Sequence, residues 1–77
     1  MDYATQSDPC VGDSFRWRGE VWEVTDIGCH ATLVDAWRGA SPYVRCINAR
    51  GVRELVPMDT FRAGGARLCE PDGSPLR

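Results

Sequence analysis

The feature that most restricts the fold is a pair of alternating segments on either side of one glycine. From Ser14 to Arg18 the chain reads Ser-Phe-Arg-Trp-Arg, which puts Phe15 and Trp17 on one face of a strand and Arg16 and Arg18 on the other. Gly19 follows, and then Glu20 to Ile27, rich in Val, Trp and Thr, resumes a β pattern. Gly19-Glu20 suits a two-residue type II′ turn, whose first central position favours glycine. That register sets Trp17 opposite Trp22, Phe15 opposite Val24 and Arg16 opposite Glu23, with aromatics on one face and an ion pair on the other. A loop at Arg18-Gly19 keeps the same faces but loses the Trp–Trp and Arg16–Glu23 pairs.

Five further segments follow the hairpin. Gly28 breaks the second strand, and the alternation of Leu33 and Trp37 against Val34 and Ala36 predicts a third strand over Ala31 to Trp37. Arg38 to Pro42 is a loop by composition. Tyr43 to Ile47 is a fourth strand, Asn48-Ala49-Arg50-Gly51 a turn, and Val52 to Val56 a fifth strand. A four-residue loop pairs Arg45 with Glu54 and Ile47 with Val52. Both faces of these two strands carry apolar residues, so their inward face stays open. Pro57 cannot donate to a central ladder, so Pro57 to Phe61 reads as one helical or 3₁₀ turn that drops Phe61 into the core. Gly64-Gly65 permits a bend, and Ala66 to Cys69 adds a short closing segment.

Seventy-seven residues hold one domain. A chain this short buries only about 60% of the surface its unfolded form exposes, which leaves little room for an enclosed catalytic pocket. Meander spacing with one helical turn near the end predicts an all-β fold, a small SH3-like five-stranded antiparallel barrel over residues 11–69. Flexible tails are expected at 1–10 and 70–77. The stretch from Val11-Gly12-Asp13 to Ile27, with Val56-Pro57-Met58-Asp59-Thr60-Phe61, resembles the SH3-like barrel modules of KOW and Tudor domains. It is similar also to small proteins of bacteria, phages and plasmids. The likeness is architectural, and Glu20 stands after Gly19 where the KOW pattern has a basic residue, so no functional residue is carried over.

All nine cationic side chains are Arg. Residues 10–70 hold eight of them against eight acids, and the net charge of −2 comes from the tails. A strongly basic nucleic-acid footprint is therefore absent, although a local Arg patch is compatible with these counts. The first nine residues lack both a basic and an apolar region, and no apolar run approaches bilayer length, so the expectation is a cytosolic chain without membrane contact.

Cys10, Cys29, Cys46 and Cys69 are spaced by 19, 17 and 23 positions, with none of the close pairs that zinc modules use. Cys29 and His30 are neighbours, and neighbours on a strand point to opposite faces. No metal, cofactor or catalytic residue is expected, and Cys46 reads as a small core residue. The first functional expectation is a non-catalytic module that binds a protein partner through Trp37, Arg38 and Tyr43, residue types that dominate interface hot spots. The alternative is nucleic-acid binding through Arg16, Arg18, Arg45, Arg50 and Arg53 with interleaved aromatics. The competing structural role for these arginines is pairing with Glu20, Glu23 and Glu54.

Overall fold

A computed structural model describes residues 8–30 and 32–76. Five antiparallel strands form one sheet: β1 (Ser14–Trp17), β2 (Glu20–Cys29), β3 (Tyr43–Asn48), β4 (Arg53–Pro57) and β5 (Arg67–Cys69), in the order β4-β3-β2-β1-β5. Two five-residue helices complete it, α1 (Leu33–Trp37) between β2 and β3 and α2 (Met58–Arg62) between β4 and β5. The protein is thus mostly β, as expected. No ladder joins β4 to β5, so the sheet is not closed.

The first hairpin forms with the other turn. Arg18 (φ 54°) and Gly19 (φ 77°) both lie in the left-handed region, as a type I′ turn requires, and its twist matches that of the flanking strands. The pairs are therefore Trp17 with Glu20, Arg16 with Val21 and Phe15 with Trp22, in place of the expected Trp17–Trp22, Arg16–Glu23 and Phe15–Val24. A left-handed non-glycine residue costs about 1–2 kcal/mol. Part of this is offset because the Arg18 guanidinium stacks 4.2 Å from the centre of the Trp17 ring. The Trp–Trp contact survives on the diagonal, edge to face with centroids 5.5 Å apart.

The expected third strand is a helix. Ala31 lies outside the described residues, but Thr32 caps α1 by accepting the Asp35 N–H at 3.1 Å. At the other end Gly39 (φ 71°) gives its N–H to the Ala36 carbonyl, and Ala40 gives its own to Asp35. This pair of hydrogen bonds around a left-handed glycine stops the helix. Both caps are local hydrogen-bond signals, and they outweigh the period-2 alternation that suggested a strand.

The β3–β4 hairpin is one residue out from its expected register. Arg45 pairs with Leu55 and Ile47 with Arg53, not with Glu54 and Val52. Asn48 is the cause. Its Oδ1 accepts the N–H groups of Arg50 (3.0 Å) and Val52 (2.9 Å), and its backbone N–H donates to the Val52 carbonyl. The loop therefore shortens to Ala49-Arg50-Gly51, with Gly51 left-handed (φ 82°). This register settles the inward face: Val44, Cys46 and Val56 are buried, while Arg45 and Arg53 point out.

The core holds Phe15, Trp22, Val24, Val44, Cys46, Val56, Met58, Phe61 and Ala66. α2 supplies Met58 and Phe61, and Phe61 meets Phe15 edge to face at 4.8 Å, so the expected helical turn does seat Phe61 in the core. β5 pairs with β1. Beyond it, residues 70–76 make a turn that bridges Pro75 to Cys69 and receives a 3.2 Å hydrogen bond from Arg16 Nη1 at the Gly73 carbonyl.

Candidate functional site

Among the described residues, α1 is the element whose side chains are least used by the fold. None of its residues is buried. Leu33 is 81% exposed, Val34 56% and Trp37 91%. Leu33 and Trp37 stand one turn apart on the helix with Val34 beside Leu33, so the three make an apolar surface on a capped helix. Isolated five-residue helices do not persist in water, and this one depends on its two caps. The fold thus holds an apolar helix in place without burying it.

The sequence-derived protein site divides in two. Trp37 ends α1 and Arg38 is its C-cap, whereas Tyr43 opens β3, half-buried and opposite Pro57 and Cys29. The loop Gly39 to Pro42 separates them, and among the described residues Trp37 has no aromatic partner. Leu33 and Val34 were not among the expected site residues. The signal that points to them is the Thr-x-x-Asp start and the Arg-Gly-Ala stop that mark a helix.

The five arginines proposed for nucleic acid do not act together. Arg16 is bonded to Gly73, Arg18 lies on Trp17, and Arg50 pairs with Glu20 through Nη2, which lies 2.9 Å from both carboxylate oxygens. Glu20 also accepts from Asn48 Nδ2, so this acid serves the hairpin loop. Arg45 and Arg53 have no carboxylate within 4 Å among the described residues. They line a shallow groove of about 440 Å³ with Glu54 and Leu55. β2, with exposed Glu23 and Asp26, runs between that groove and Arg16.

The cysteines are free thiols: Cys10 exposed, Cys29 half-buried, Cys46 and Cys69 buried. Burial pushes the Cys46 thiol up to about 11, and it donates to the Glu54 carbonyl at 3.6 Å. Burial also raises Cys69. Such thiols are poor nucleophiles at neutral pH. No group of three His, Cys, Asp or Glu is placed to hold a metal among the described residues, and no helix there is long and apolar enough to cross a membrane. The chain matches no family model, no curated protein and no solved structure.

Proposed function

We propose that this chain is a small SH3-like module that binds a protein partner without catalysis, α1 being its main contact surface. The observation that carries the reading is the exposure of Leu33, Val34 and Trp37 on one short helix that buries nothing. Apolar surface gathered in one place marks interaction sites, and Trp and Arg are the residue types most often found at interface hot spots. A partner that buried Trp37 would gain one of the largest apolar units available to any side chain. Arg38 beside it supplies a charged rim, and Tyr43 a more distant anchor. A regulatory or adaptor role, of the kind small mobile-element proteins perform, fits a module with so little surface.

The SH3-like reading is supported by the strand order and the antiparallel meander. It is supported too by the irregularities that bend β2 after Val24 and by the helical turn before β5. In place of a closing ladder, α2 covers the core with Phe61 and Met58.

The nucleic-acid alternative has weaker support. Three of its five arginines are engaged within the protein, and acids on β2 interrupt the remainder.

The test is affinity capture from nuclease-treated lysate of the native host, using wild type and the double variant L33E/W37E. Both side chains are exposed, so the variant should match wild-type stability within about 0.5 kcal/mol. The expected result is a stoichiometric protein retained by wild type and lost from the variant. Equal retention by both would overturn the reading, as would recovery of nucleic acid alone from untreated lysate.

A further inference from the structure

The strand order leaves β4 at one edge of the sheet, and the hydrogen-bond parity of its ladder shows which groups that edge offers. Asn48 donates to the Val52 carbonyl and Met58 donates to the Pro42 carbonyl, each bond within the same register that pairs Val44 with Val56. Bonded and non-bonded pairs alternate along an antiparallel ladder, so Glu54 and Val56 turn their backbone groups towards β3. Arg53 and Leu55 turn theirs away. No backbone partner reaches Arg53 or Leu55 on that side among the described residues. Pro57, which has no N–H, ends the free edge. The opposite edge differs, because Cys69 of β5 is already bridged to Pro75.

Side chains give this edge a charge preference. Arg53 and Leu55 lie on the outer face, and Arg45 stands opposite Leu55 on β3. Among the described residues Arg45 and Arg53 have no ion-pair partner, and they flank Leu55 in the shallow groove, which Glu54 also lines from its position between Arg53 and Leu55 on β4. Asp26 is the register partner of Arg45 and keeps its charge, with Oδ1 accepting the Ile27 N–H, but it lies on β2, on the side of β3 away from the β4 edge. Like charges on adjacent strands disfavour one another, and a carboxylate laid beside them relieves this.

We propose that the β4 edge takes up an acidic, extended peptide segment of a protein partner as a sixth, antiparallel strand. The added strand exchanges backbone hydrogen bonds with Arg53 and Leu55, the mode known as β-augmentation. Its acids fall at alternate positions, one beside Arg53 and one beyond Leu55 within reach of Arg45. The residue between them faces Glu54 and is neutral or basic. This surface is distinct from α1, and the two proposals stand or fall separately.

The probe is a fluorescein-labelled peptide, Thr-Glu-Val-Glu-Val-Thr, titrated against the full chain by anisotropy. It is compared with its Lys-for-Glu counterpart, with a version N-methylated at both Glu residues, and with oligothymidylate. The expected result is saturable binding of the acidic peptide alone, weakened at least about tenfold in R45E/R53E. Hydrogen exchange of the Arg53 and Leu55 amides should slow when that peptide is added. Equal binding of the N-methylated or lysine peptide, or unchanged exchange at Arg53 and Leu55, would overturn the proposal. So would retention of oligothymidylate in place of the peptide, or a dimer of the chain through β4 that excludes it.

Discussion

Trp22 donates its indole N–H to the backbone carbonyl of Trp17 at 3.1 Å, across the turn that joins their strands. The bond runs from a buried ring to the last residue before the left-handed pair Arg18-Gly19. It couples the core to the turn conformation. Replacing Trp22 with Phe keeps an aromatic ring but deletes the donor, leaving the partly buried carbonyl without it. The expected loss is about 1–3 kcal/mol in urea unfolding. A loss below about 0.5 kcal/mol would show that the turn does not depend on this bond.

Asn48 organises the second hairpin through three side-chain bonds: two received from Arg50 and Val52, one given to Glu20. It is the one buried polar residue among those described. Asn48→Ala should cost about 2–3 kcal/mol, because the loop N–H groups lose their acceptor. Arg50→Ala, which breaks an exposed ion pair, should cost less than about 1 kcal/mol. Chemical denaturation of the two variants side by side measures the contrast, and similar losses would contradict it.

Gly73 sits where no side chain fits. A Cβ there would lie 2.8 Å from Arg16 Nη1 and 3.0 Å from Val21 Cγ2, and its φ is +91°. Gly73→Ala should therefore displace the 70–76 turn from β1 and β5 and weaken the Arg16 bond. Cys69, buried beside this turn, should then react faster with a thiol reagent while Cys46 does not. Stopped-flow labelling separates the two thiols, and an unchanged Cys69 rate would count against the packing described.

The Cys46 thiol gives a pH dependence with a defined sign. Its pKa rises from 9.0 to about 11 on folding. The unfolded chain therefore ionises first, and the contribution of this group is complete below about pH 9 and is lost as pH rises towards 11. Stability of wild type should fall more steeply over that window than stability of Cys46→Ala. Parallel slopes for the two proteins would remove Cys46 as the source.

Much of the fold was legible because its causes are local or periodic. The alternation of Phe15 and Trp17, the glycine after them and the Pro57 stop located two strands and the turn of α2. The two hairpin registers were harder to read. In each, a short-range contact at the turn outweighs the cross-strand pairs that the strands themselves favour, and for the first the Arg18-Gly19 loop stood only as the alternative. In the first, Arg18 accepts a strained backbone where it can stack on Trp17. In the second, the Asn48 side chain shortens the loop by one residue, which reverses the face of Arg45 relative to Glu54. The helix α1 was missed for a different reason: five residues fit both periods, and only the capping groups Thr32 and Gly39 distinguish them. Of the expected contact residues, Trp37 and Arg38 share α1 and its cap, while Tyr43 lies on the sheet. Leu33 and Val34 became visible as a surface only once the strand was seen to be a helix.

The claim that α1 is a docking surface for a protein is tested most directly by a photoreactive side chain placed on it. With p-benzoylphenylalanine at position 37, irradiation of cells of the native host should yield one dominant protein adduct. The same group at position 25, on the exposed face of β2, should not yield that adduct. Absence of any adduct from position 37, or the same adducts from both positions, would contradict a protein-binding role for α1.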